Sequence, residues 1–165
     1  VTSAPALALE DIDCTFASRE DASLRYTAVR GATLRVAKGE FVSVVGPTGC
    51  GKSTLLNVAA GLLRPSAGSV AVFGEPLSGI NSRAGYMFQA EALMPWRNTL
   101  ENVTAGLEFR GVAREEAQAR GRDWLKRVGL AGFEKRFPHQ LSGGMRKRVA
   151  LAQMLILDPQ ILLMD

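Results

Sequence analysis

Cysteine is scarce in this chain: Cys14 and Cys50 are the only two among 165 residues. Two thiols cannot build a disulfide framework, and these two are not spaced as metal ligands. Both are therefore read as reduced thiols. Histidine is scarcer still, with His139 alone. No apolar run approaches the roughly 18 residues needed to cross a bilayer. The opening VTSAPALALE lacks a basic stretch followed by an apolar one, so no secretory signal is expected. Aromatic residues make up only 7% of the chain, and no basic stripe is interleaved with them, which argues against a nucleic-acid partner. The net charge of +4 is modest. Its Lys and Arg concentrate between Arg110 and Arg148, where they alternate with acids as in REEAQARGRDWLKR, the pattern of a solvated helix face. No repeat or low-complexity segment occurs. A soluble, intracellular protein is the expectation.

What is present is an ordinary globular balance, 47% apolar and 22% charged, in a chain long enough for one domain with a real core. Residues 1–6 read as a loose tail. ALALEDIDCTF and ATLRV alternate as strands of an antiparallel patch, separated by the polar insert SREDAS. FVSVV (41–45) is a short continuous apolar run, which predicts a strand buried on both faces of a parallel sheet. STLLNVAAGLL (53–63) has helical spacing and ends near Gly61, while SVAVFG (69–74) and AGYMF (84–88) read as further strands.

From Asn98 the period becomes helical. Asn98 and Glu101 form a capping-box pattern that opens a helix through about Arg110, closed by Gly111. A second helix spans 114–128 with Ala117, Trp124, Leu125 and Val128 on its apolar side. Gly121 inside it is expected to cost about 1 kcal/mol relative to Ala. A third helix, from about Ser142 to Leu157, stops before Asp158-Pro159 and feeds the strand ILLM.

The chemistry concentrates in Gly46-Pro47-Thr48-Gly49-Cys50-Gly51-Lys52-Ser53, which fits the P-loop pattern G-x-x-x-x-G-K-[ST]. Glycines let the backbone curl into a nest of N–H donors that approaches phosphates without Cβ atoms in the way. The following helix turns its positive end to the same anion. Lys52 is placed to reach the β- and γ-phosphates, the Ser53 hydroxyl to hold Mg²⁺, and Thr54 to bond the α-phosphate. A predicted buried strand before the motif and an amphipathic helix after it supply the expected setting. Nucleoside triphosphate binding follows.

Leu141-Ser142-Gly143-Gly144-Met145, with the P-loop upstream and ILLMD downstream, resembles the signature motif of ABC-type ATPases. The likeness runs from about Leu9 to Asp165. ALMPWRNTLENVTAGLEFRGV, PHQLSGGMRKR and ILLMD narrow it to the ATPases of importers for nitrate, aliphatic sulfonates, taurine and related small anions. Met145 stands where most signatures have Gln, as is common in that group. Gln153 replaces a usual Arg, and Thr48 a usual Ser. The resemblance implies an α/β fold: a P-loop core of ABC type with an N-terminal antiparallel β patch and a helical insert, the C-terminal part of the domain missing. Its expected divisions are 7–89 for β patch and P-loop core, 90–140 for the helical insert, and 141–165 for signature helix and Walker B strand.

The same resemblance assigns roles. The signature residues would contact ATP held by a second copy in a head-to-tail dimer with two shared sites. Gln89 matches the Q-loop glutamine, facing Mg²⁺ or the attacking water. Phe16, with Tyr26 as the alternative, would stack on adenine. The segment around Met94-Pro95-Trp96 would lie near the groove that receives a coupling helix of the transmembrane permease subunits, although Trp96 packing under a loop is an equal reading. A solute-binding protein is implied indirectly. The location implied is the cytoplasmic face of the membrane, peripherally attached.

Asp165 would be the Walker B acid that binds Mg²⁺ through water. The catalytic Glu and the switch His that follow it in the family are absent from these residues, and His139, on the helical insert, cannot stand in. The chain therefore reads as a piece of a longer ATPase, inactive in hydrolysis by itself. A non-hydrolysing nucleotide-binding remnant or regulatory module is the alternative.

Overall fold

The structure is a computed structural model that describes residues 4–17, 24–90 and 92–165. The insert SREDAS and the first three residues of the expected tail lie outside the described residues. Two compact units are present, one reaching to Ser82 and including Asp165, the other Arg83–Met164.

In the first unit, β1 (Leu7–Ala17) pairs antiparallel with β2 (Arg25–Val36) on one side and with β3 (Ala67–Val72) on the other. A two-residue strand, β4 (Glu75–Pro76), extends the sheet beyond β3 in the order β2-β1-β3-β4. β2 begins well before the ATLRV stretch that reads as a strand from sequence. Its pairing with β1 slips near Asp11, whose φ of 49 marks a bulge. Leu7, Leu9, Ile12, Val70 and Val72 are buried, giving this sheet an apolar face. Cys14 is buried and Cys50 exposed, and both are free thiols. Burial raises the Cys14 thiol pKa, with the Asp13 carboxylate adding to the effect.

Helix α1 (Lys52–Ala59) follows the P-loop. It ends at Ala59, beside the Gly61 where the sequence places its stop, because Gly61 (φ 70) turns the chain. The Leu62 amide then donates to the Asn57 carbonyl and the Gly61 amide to that of Val58, which satisfies two orphan carbonyls.

The expectation of a buried strand at 41–45 is not met. Phe41 is 90% and Val45 85% exposed, and the segment joins no ladder among the described residues. Apolarity marks such a segment for burial, but burying it takes a strand beside it and cover on its faces. No described strand takes that place.

The second unit does contain a parallel pair. β5 (Ala84–Met87) lies beside β6 (Ile161–Met164), with Ala84 opposite Ile161 and Met87 opposite Met164. Three helices accompany it: α2 (Thr99–Phe109), α3 (Arg114–Arg127) and α4 (Gly143–Leu155), with a 3₁₀ turn at Pro138–Gln140. Their apolar stripes meet in one core of Val103, Leu107, Leu125, Leu130, Val149 and Ile156. Trp124 and Val128 pack against it, as their spacing predicts. The capping box at Asn98 and Glu101 is formed in both directions, each side chain bonding the other residue's backbone amide at 2.9 Å. Gly121 has a packing role that helix propensity does not reveal. A Cβ there would come within 2.6 Å of Thr104 Cγ2 and 2.7 Å of Leu100 Cδ1, so glycine permits α3 to approach α2.

Candidate functional site

The P-loop curls for local reasons. Gly49 (φ 83) and Gly51 (φ 95) both adopt left-handed backbone, and a Cβ on Gly51 would sit 2.6 Å from the Ala28 carbonyl oxygen. The Cys50 amide donates to the Pro47 carbonyl at 3.4 Å, closing a turn, and the Leu55 amide to Gly51 at 2.9 Å, starting the helix. The Lys52 ammonium reaches back across this turn. Its Nζ donates to the carbonyls of Gly46 (2.9 Å) and Pro47 (2.8 Å) and lies 3.7 Å from Cys50 Sγ. One cation is thus held over a loop whose residues 46–50 are exposed, at the positive end of α1. That combination attracts anions. Thr54 follows on the first turn of α1, half-buried.

Asp165 answers to this loop. The Ser53 hydroxyl donates to Asp165 Oδ1 at 2.8 Å, although the two residues stand 112 positions apart. A hydroxyl and a carboxylate oxygen so close together are hard donors of the kind Mg²⁺ takes. Among the described residues no group of three or more His, Cys, Asp and Glu is gathered in one place.

Phe16 and Tyr26 face each other across β1 and β2 as register partners, their ring centroids 5.6 Å apart and the planes 29° from parallel. The two candidates thus share one face of the sheet. Tyr26 is the more exposed at 57%, with Phe16 partly covered.

The other sequence-predicted residues belong to the second unit. Gln89 is exposed, two residues beyond the end of β5. In the signature segment Leu141 is buried and anchors the entry to α4, while Ser142, Gly143 and Gly144 are exposed. The Ser142 hydroxyl caps the helix by accepting the Met145 amide at 3.3 Å. A Cβ on Gly144 would meet nothing within 4 Å, so this side of the α4 entry is open. Met145 is half-buried against the helical core. Trp96 stands 73% exposed at a turn before α2.

Sequence reasoning missed Asn102. It is fully buried, and its carboxamide makes four hydrogen bonds to the segment carrying Trp96. The available signal was an amide side chain adjoining Val103 on the buried side of an otherwise amphipathic helix. Among the described residues no helix is long and apolar enough to cross a membrane.

Comparison with known proteins gives the family. The ABC transporter family matches residues 29–165. The taurine import ATP-binding protein TauB of Yersinia pestis bv. Antiqua is 47% identical over 138 residues, covering 84% of this chain and 54% of that protein. TauB of Burkholderia pseudomallei is 46% identical over 159 residues, covering 96% of this chain and 60% of that protein. The chain thus spans little more than half the length of these curated relatives. Among solved structures, the ATP-binding cassette MJ0796 in a dimeric post-hydrolysis state bound to ADP and Pi aligns with a TM-score of 0.84 and 33% identity, over 96% of this chain and 73% of that one. A second dimeric structure of the same cassette, described as a bacterial ABC transporter cassette, gives a TM-score of 0.85 at the same identity and coverage.

Proposed function

Since this chain belongs to the ABC transporter family of ATP-binding domains, we propose that the full-length protein is the ATP-hydrolysing subunit of an importer for a small anion. Taurine is the first candidate, because two TauB proteins are 46–47% identical to this chain. Other sulfonates and nitrate are the wider class. Within these 165 residues, the nucleotide-binding domain divides into β patch and P-loop core over 7–89, helical insert over 90–140, and signature helix and Walker B strand over 141–165.

The observation that carries this reading is the 2.8 Å hydrogen bond between Ser53 and Asp165 beside the Lys52 loop. It gathers an anion cradle and a pair of hard oxygens in one place, as a magnesium-bound triphosphate requires. When bound, Mg²⁺ would neutralise charge on the phosphate oxygens, with Ser53 and Asp165 holding it; by its match to the family's Q-loop, Gln89 is assigned to the metal or the attacking water. Residues 46–54 bind the phosphates, and Lys52 moves from its loop carbonyls to the phosphoryl oxygens, where charge develops. The stacked pair of Phe16 and Tyr26 offers adenine a flat surface, with Phe16 as the assigned partner.

The backbone amides of the exposed Gly143 and Gly144 and the Ser142 hydroxyl contact the ATP of a second copy, with Leu141 and Met145 holding that end of α4 in place. Closure of the head-to-tail dimer is passed to permease subunits that dock near Trp96, and a solute-binding protein delivers the anion. The protein acts peripherally at the cytoplasmic face of the membrane.

The test is uptake. Deleting the gene should abolish uptake of radiolabelled taurine, restored by the wild-type protein and not by Lys52→Ala. Unchanged uptake of taurine, other sulfonates and nitrate in the deletion strain would overturn the proposal.

A further inference from the structure

Trp96 is exposed, yet the turn that carries it is held from inside the helical core. Met94 to Arg97 form a β-turn closed by the Arg97 amide on the Met94 carbonyl at 3.1 Å, with Pro95 at its second position and Trp96 at its third. Beneath it lies Asn102, fully buried one turn into α2. Its Oδ1 accepts the Met94 amide at 2.7 Å. Its Nδ2 shares two N–H groups among the carbonyls of Met94 (3.1 Å), Arg97 (2.9 Å) and Asn98 (3.0 Å). The amide's orientation follows from these partners, since only its oxygen can face an N–H and only its nitrogen can face three carbonyls. A single side chain thus grips both ends of the turn. Arg97 adds a second tie through Glu108 Oε2 at 2.9 Å, and its guanidinium lies 5.8 Å from the Phe109 ring centre.

So dense a network under an exposed Trp does more than satisfy buried amides. Capping of α2 is already complete through Asn98 and Glu101. Asn102 instead ties down the backbone of the segment before the cap, so that the turn carrying Trp96 is held before any partner arrives. Preorganisation of this kind strengthens binding without adding a contact.

We propose that Asn102 is a positioning residue for partner docking, fixing the Pro95-Trp96 turn so that Trp96 can anchor the permease. This rests on the reading of Trp96 as a docking residue given under Proposed function. The grip acts only through the turn, so its value should vanish once Trp96 is gone.

The test uses the full-length protein and inverted membrane vesicles from its own cell, stripped of peripheral proteins with urea. Protein-free liposomes of the same lipids serve as the control. Trp96→Ala should weaken binding to the vesicles by roughly tenfold or more, and Asn102→Ala by a similar factor, while affinity for a fluorescent ATP analogue stays unchanged. The double variant should bind like Trp96→Ala alone. Pro95→Gly loosens the same turn from its exposed side, leaves the core intact, and should show the same non-additivity even where Asn102→Ala fails to fold.

If Trp96→Ala leaves vesicle binding unchanged, or liposomes bind equally well, the docking reading falls and the proposal with it. If Trp96→Ala weakens binding but the losses from Asn102→Ala or Pro95→Gly simply add to it, docking stands and the positioning role is overturned.

Discussion

Ser53 and Asp165 show what a single contact can do at the residue scale. Each is exposed, so their 2.8 Å hydrogen bond adds little to stability on its own. Its value is placement, because it holds a hydroxyl oxygen and a carboxylate oxygen side by side at the mouth of the phosphate loop. Removing the hydroxyl should therefore affect metal-dependent binding rather than folding. Ser53→Ala is expected to weaken ATP binding in Mg²⁺ by about tenfold or more, the scale of one hydrogen bond to a charged group. Binding in EDTA should change little. Ser53→Thr keeps the oxygen and should restore most of the loss. Equilibrium titration with and without Mg²⁺ separates these cases, and an equal loss in both would remove Ser53 from the metal's surroundings.

Helix endings and helix contacts set the element scale. Three helices close by the same device, a glycine in left-handed backbone at Gly61, Gly111 and Gly129, with the two following bonds running back into the last turn. Gly121 works differently, because it sits inside α3 at the contact with α2. Helix propensity alone would have Ala gain about 1 kcal/mol there. Packing opposes this: the new methyl would press on Thr104, which is buried and held by its own hydrogen bond to Glu108 at 2.9 Å. Thr104 cannot turn aside without breaking that bond, and Glu108 is itself tied to Arg97. Gly121→Ala should destabilise the protein by about 1–3 kcal/mol, the usual cost of overpacking. Urea unfolding measures it, and a stabilising effect would show that α3 shifts away from α2 at little cost.

At the scale of the whole molecule, the segment FVSVV dominates. Phe41 and Val45 are almost wholly exposed, and Val42 and Val44 are partly so. A short, uncharged, β-branched run without ladder partners is a template for pairing with another chain. These 165 residues expressed alone should bind a hydrophobic dye and associate at micromolar concentration, as light scattering would show. Phe41→Glu with Val45→Lys should suppress both effects. Monodisperse behaviour without dye binding would mean that the segment is covered in solution.

The sequence by itself determined whatever depends on neighbours along the chain. The P-loop glycines, the capping box at Asn98 and Glu101, the stop at Gly111 and the apolar stripes of α3 and α4 are all local, because backbone geometry and helical period are set over a few residues. Family membership was also legible, since the P-loop, the signature and the ILLMD strand fall in one order. Only the tertiary structure decided how distant residues meet. It brought Asp165 to Ser53, set the Phe16 and Tyr26 rings against each other, gave Gly121 its reason and put Asn102 under the turn of Trp96. It also left 41–45 uncovered where apolarity promised burial. The physical reason is common to all of these. A side chain's own chemistry states what it needs, whether a partner, cover or space, and only the packing of elements far apart in sequence decides whether that need is met.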